Sequence, residues 1–104
     1  ICGIINNNMS YKVRVNYTKP SAEVSLHTPS AGYTDLINTM FDAGKITQKP
    51  VETIDGLNYT YEMIFLNEES FIEFSTQEVS RGNHNTRQTH CNNNSISYSV
   101  EQGV

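Results

Sequence analysis

Apolar and polar positions alternate most cleanly at Tyr11-Lys-Val-Arg-Val-Asn-Tyr17, where Tyr11, Val13, Val15 and Tyr17 share one side. Successive side chains on a strand point to opposite faces, so this run predicts a half-buried strand. Thr18-Lys19-Pro20-Ser21 reads as a turn, and Ala22-Glu-Val-Ser-Leu-His-Thr28 alternates again. Together the two runs predict a hairpin that buries Val24 and Leu26 beside the Tyr11 face and sets Lys12 and Arg14 opposite Glu23.

Pro29-Ser30 breaks that run, and the spacing changes to a helical one. Leu36, Ile37, Met40 and Phe41 recur at helical intervals between Tyr33 and Ala43. Ser30 or Thr34 offers an N-cap oxygen, and Gly44 stands where a left-handed stop is wanted. Lys45 to Gly56, interrupted by Pro50, reads as an irregular connection. Leu57 to Leu66 is the most apolar strand, with Leu57, Tyr59, Tyr61, Met63 and Phe65 on one face and Ile64 and Leu66 on the other. Apolar groups on both faces place a strand inside a sheet or against a second apolar surface. Asn67-Glu-Glu-Ser70 is expected to turn the chain, and Phe71 to Val79 to return as a strand with Ile72 and Phe74 inward. Ser80 to Asn94 reads as a long polar loop and Ser95 to Glu101 as the last strand.

The predicted order is therefore β-β-α-β-β-β. Cys2 and Cys91 are the only cysteines, and each leads through a triplet of Asn into an alternating run. A bond between them would fasten the approach to the first strand beside the approach to the last, making those strands parallel neighbours. The expectation is one α+β domain over residues 1–104, a β-grasp (ubiquitin-like) arrangement with one helix on a mixed sheet. The alternative is an all-β sandwich or barrel in which residues 33–43 form a short helical crossover.

A cross-link around about 90 residues would contribute roughly 4–5 kcal/mol by the chain-entropy argument. It persists only where thiols are oxidised, so the pairing predicts a secreted, periplasmic or cell-surface protein. Cys-Gly so near the start, without an initiating Met, also suits a processed chain whose Cys2 carries a lipid instead. The richness in Asn, Ser and Thr fits an extracytoplasmic surface. Four Asn-x-Ser/Thr triplets, at Asn8, Asn16, Asn58 and Asn93, are what such a composition carries by chance.

Net charge is −4, and residues 51–80 hold seven acids and no base. That acidity argues against nucleic acid or an anionic membrane surface as partner. No apolar stretch reaches the length of a membrane span.

Within residues 80–94, Arg81, His84, Arg87 and His90 recur every third residue. An extended segment would present all four on one side, able to hold a phosphate, sulfate or carboxylate. The simpler reading is a solvated crossover whose bases answer the acidic hairpin before it. His-x5-His matches no standard zinc spacing, so neither metal nor cofactor is expected. A second candidate surface is the outer sheet face, where Lys12, Arg14 and His27 would flank the exposed Ile64 and Leu66.

No nucleophile elbow, phosphate-binding loop or dinucleotide fingerprint occurs. The reading is a disulfide-stapled module that binds another protein, as an inhibitor, an immunity or toxin component, an effector or a surface-protein module. Two alternatives stand beside it. One is a small secreted hydrolase or nuclease using His84 or His90 with a carboxylate. The other is a structural subunit of a pilus or coat.

Overall fold

The computed structural model describes residues 9–104. Its elements run β1 (Tyr11–Thr18), α1 (Ala31–Asp42), β2 (Ile46–Asp55), β3 (Asn58–Phe65), α2 (Glu68–Ser75), α3 (Glu78–Asn93) and β4 (Ser97–Gln102). The strands form one sheet in the order β2-β3-β1-β4, and every neighbouring pair is antiparallel. The helices cover the face that carries Val13, Met63 and Phe65.

The alternating runs behave as the pattern predicts. β1 pairs with β3 from Tyr11↔Phe65 to Thr18↔Asn58. Val13, Tyr17, Met63 and Phe65 are buried on the helix side. The opposite face is polar. There Arg14 Nη1 donates to Glu101 Oε2 at 2.9 Å, Arg14 Nη2 donates to Glu62 Oε2 at 3.1 Å, and Lys12 Nζ lies 3.5 Å from the same Glu62 oxygen. The helix predicted from Tyr33 is α1. Ser30 caps it by accepting from the Tyr33 amide, and Gly44 at φ +79° ends it, the Gly44 amide bonded back to Phe41 O and the Lys45 amide to Met40 O.

The β-grasp arrangement is not what the chain forms. The first and last strands are neighbours, as expected, but they run antiparallel, from Val13↔Gln102 to Thr18↔Ser97. Among the described residues the sheet is not mixed, and three helices stand where one was expected. The all-β alternative fails for the same reason. The parallel expectation treated residues 71–94 as strand and loop. They are α2 and α3, a helical crossover that returns the chain so that β4 runs the same way as β3. Two split β-α-β units, β1-α1-β2 around β3 and β3-α2-α3-β4 around β1, give the ferredoxin-like pattern.

Three further corrections follow from local chemistry. Residues 22–28 form no strand, although Val24 and Leu26 do pack inward from an extended segment. Residues 46–55 form the edge strand β2, bulged around Gln48 and Val51. Pro50 sits at the irregularity, where its missing amide breaks no ladder bond. The Asn67-Glu-Glu-Ser70 segment opens α2 rather than a hairpin. Asn67 accepts from the Ser70 amide at 2.9 Å, and Glu68 and Glu69 complement the positive end of the helix. Phe74 is buried as predicted, but Ile72 is 52% exposed.

α3 ends where Ser95 adopts φ +58° and the Ile96 amide bonds back to Cys91 O at 2.9 Å. This is the αL stop in which the residue after the turn packs against the last helical turn. Cys91 (0% exposed) and Ile96 are both buried there, beside Tyr17. The Cys91 thiol is free. The expected bond to Cys2 is not found, and Cys2 lies outside the described residues.

The core is divided. One cluster gathers Val13, Ile37, Met40, Ile46, Met63, Phe65 and Phe74, and a smaller one gathers Tyr17, Cys91 and Ile96. A domain of this size normally has one contiguous core.

Candidate functional site

A cavity of about 540 Å³ draws its lining from both clusters. Its floor is the sheet: Val13, Val15 and Tyr17 of β1, Tyr61 and Met63 of β3, and Val100 of β4. Tyr33, Phe71 and Phe74 wall it from α1 and α2, and Leu26 and His27 from the extended segment. α3 forms the roof with Ser80, Asn83 and Arg87.

Residues 80, 83, 87 and 91 are spaced i, i+3, i+7, i+11, which puts them on one helix face. On a helix packed against a sheet that face should be apolar. Here it reads Ser, Asn, Arg, Cys. Ser80 and Asn83 are buried, at 7% and 8% exposure. Ser80 Oγ, Asn83 Oδ1 and Arg87 Nε have no hydrogen-bond partner. A buried polar atom left unpaired costs about 1–3 kcal/mol, and most such atoms in folded proteins are paired. Three on one helix face, all above one cavity, mark a place where the fold gives up stability. A groove lined by His27, Thr28, Ser30, Glu78, Val79, Gly82 and Thr86 lies on the other side of Asn83.

Arg87 dominates the electrostatics. Its Nη2 donates to His84 Nδ1 at 2.9 Å, which assigns the ring proton of His84 to Nε2, and its Cζ lies 5.5 Å from the centre of the Tyr98 ring. Among the described residues it joins no ion pair. Burial pushes the Tyr17 and Tyr33 hydroxyls and the Cys91 thiol up, and in each case the Arg87 charge opposes the shift. Burial pushes His27 down, and His90 and Arg87 push it further. His90 Nε2 donates to the Ser25 carbonyl at 2.7 Å, tying the end of α3 to the extended segment, and its ring lies 6.1 Å from that of His27.

Of the residues singled out in the sequence, His27, Arg81, His84 and Arg87 come together around the cavity. They do so on a helix, where a three-residue interval spirals around the axis, so the expected single row does not form. His90 has turned away to Ser25. Lys12 and Arg14 sit on the opposite sheet face, engaged by Glu62 and Glu101. Ile64 is half-buried on that face, and Leu66, 45% exposed, lies just past β3. Ser80 and Asn83 were missed. Their signal was the same i, i+3, i+7 spacing that apolar residues would have shown.

The arrangement can hold a ligand with an apolar body and a polar end. The hydrolase alternative requires His84 or His90 beside a carboxylate, and the rings are instead engaged by Arg87 and by the Ser25 carbonyl. The Cys91 thiol is fully buried with its ionisation suppressed by burial, which is the environment of an inert thiol. Among the described residues no group of three His, Cys, Asp or Glu side chains is placed to hold a metal, and no helix is long and apolar enough to cross a membrane.

No protein-family model matches the chain, and no curated protein sequence matches it. Among solved structures it resembles protein SO0527 from Shewanella oneidensis, with a TM-score of 0.56 over 92% of this chain and 90% of that one. The two share 12% sequence identity, so the likeness is one of fold. The class defined at this point is a small α+β domain with a four-stranded antiparallel sheet, three helices on one face, and a cavity between the layers.

Proposed function

We propose that this chain is a binding domain whose ligand is a small amphipathic molecule held between the sheet and α3. The observation that carries the proposal is the set of unpartnered atoms on Ser80, Asn83 and Arg87 above an apolar floor. A binding site of about 300–1,000 Å³ with a few convergent polar groups is the usual form of a small-molecule pocket. A ligand that satisfied those atoms would recover what the empty fold forgoes.

The test is an amide chemical-shift titration with 2-naphthol, a neutral ring system sized for the cavity. Saturable shifts should appear at Val15, Tyr61 and Asn83 and not at Arg14 or Glu62 on the opposite face. Shifts confined to that opposite face, or none at millimolar probe, would overturn the proposal.

The protein partner expected from the sequence has separate support. Val51 and Ile54 on the edge strand β2 are 51% and 54% exposed, and Leu57 at the hairpin turn is 38% exposed. An edge strand with exposed apolar groups invites a second chain. Sedimentation velocity over a hundredfold range of concentration tests it from the self-association side: a growing dimer fraction would favour the assembly-subunit reading over a foreign partner. A location outside the cytoplasm is supported by the composition, rich in Asn, Ser and Thr. An intact mass lower by the two thiol hydrogens, restored on reduction, would support it.

A further inference from the structure

We infer that the ligand of this cavity is a planar aromatic carboxylate, its charged end paired with Arg87 and its ring system lying along the sheet. The inference rests on the cavity being the binding site and goes further by naming the ligand's chemistry.

Charge argues for the anion. The chain carries net −4, yet among the described residues no Asp or Glu lines the cavity. Its lining includes Arg81, Arg87, His27 and His84 instead. The opposite sheet face shows how this protein treats Arg elsewhere: Arg14 pairs with two carboxylates, Glu101 and the Glu62 it shares with Lys12. Arg87 has none, and its Nε is partnerless. The residue is half-buried with its Nε shut off from solvent, and the edge of the guanidinium offers parallel donors that match a carboxylate. The bond to His84 uses Nη2 and holds the guanidinium in place before any ligand arrives.

Shape argues for the ring. The cavity is aromatic on two sides, with Tyr17 and Tyr61 on the floor and Tyr33, Phe71 and Phe74 on the helical side. Such walls favour a flat partner by offset stacking and edge contacts. The remaining orphan atoms specify a second polar group on that ligand. Asn83 Oδ1 is an acceptor and Ser80 Oγ can accept as well, so a hydroxyl or amine hydrogen is called for there. Asn83 lies one turn before Arg87, about 6 Å along the helix axis. A rigid ring system can carry the carboxylate and the hydroxyl at opposite ends, one for each of these two positions on the helix.

The experiment compares two fluorescent probes on the full chain at pH 7. One is 6-hydroxy-2-naphthoate; the other is 2-naphthol, which shares the ring system and hydroxyl but lacks the carboxylate. The hydroxynaphthoate should bind at least tenfold tighter. Arg87→Met should abolish that preference by weakening hydroxynaphthoate binding at least tenfold, and Arg87→Lys should retain part of it; thermal melts of both variants check the fold. Equal binding of the two probes to the unaltered protein overturns the anion inference and leaves the binding-site proposal standing. A preference that survives Arg87→Met also overturns it, because the charge is then read elsewhere. Failure of both probes to bind overturns the anion inference and the site proposal together.

Discussion

Asn83→Leu should make this protein more stable and a worse binder. Asn83 is 8% exposed, lines the cavity, and has its Oδ1 buried without a partner. Removing a buried unpaired acceptor recovers part of a penalty of about 1–3 kcal/mol. Leu is also the better helix former, by a few tenths of a kcal/mol, and its side chain extends into space bounded by Val13, Met63 and Phe74. Losses are expected from the contact Asn83 makes with the neighbouring groove. A net gain of about 1.5 kcal/mol is a reasonable expectation, which for a domain of this size raises Tm by roughly 6–12 °C. The assay is thermal unfolding followed by far-ultraviolet circular dichroism, with 6-hydroxy-2-naphthoate affinity measured on the same preparation. Affinity should fall at least tenfold as stability rises, the exchange expected when a polar group is kept for function. A variant that folds but melts lower would refute the reasoning, because Asn83 would then be holding the structure together.

Three other outcomes are expected. Phe65, at 0% exposure in the larger cluster, should cost about 3–5 kcal/mol when changed to Ala, read from urea denaturation; a loss under about 1 kcal/mol would contradict its burial. In the native protein kept reduced, Cys91 should resist a water-soluble alkylating reagent until denaturant is added, and rapid labelling of the folded chain would place the thiol at the surface. The hydrogen bond from Arg14 holds the Glu62 carboxyl below its ordinary value of 4.5, so the unfolded chain binds that proton more readily than the folded one. The associated stability is present above the unfolded value and is lost as pH falls through the lower folded value. Glu62→Gln should therefore flatten the acid limb of the stability profile below about pH 4.5; an unchanged limb would show that the pair contributes nothing.

The parts of the fold legible in the sequence are those where burial follows polarity. β1, α1 and β3 each bury one apolar stripe of the expected period, and each lies where the pattern puts it. β2 escaped because an edge strand that stays exposed, with Pro50 and a bulge in its middle, has no stripe to show. α2 was read in the wrong period. Ile72 and Phe74 suggest alternation, while the pair that packs is Phe71 and Phe74, announced only by the Asn67 cap. α3 was the larger miss and the more instructive one. Its inward face is Ser80, Asn83 and Arg87, so a search for apolar periodicity finds nothing there. The bases of that segment drew attention for their chemistry, and His27, Arg81, His84 and Arg87 do meet at one site. What stayed hidden was the helix that brings them there. The cysteine pair misled the topology because a tether fixes proximity and says nothing about strand direction.

The divided core also bears on how the molecule opens. The smaller cluster of Tyr17, Cys91 and Ile96 is joined to the larger one mainly through the sheet, since the space between them is hollow. Its loss would free the end of α3 while the sheet and α1 keep their packing around the larger cluster. Native-state hydrogen exchange should then find two classes of amide, with the end of α3 exchanging through a partial opening cheaper than global unfolding. A ligand seated in the cavity would bridge the two clusters and draw both classes toward one protection level. Occupancy would be reported as cooperativity, by amides that never touch the ligand.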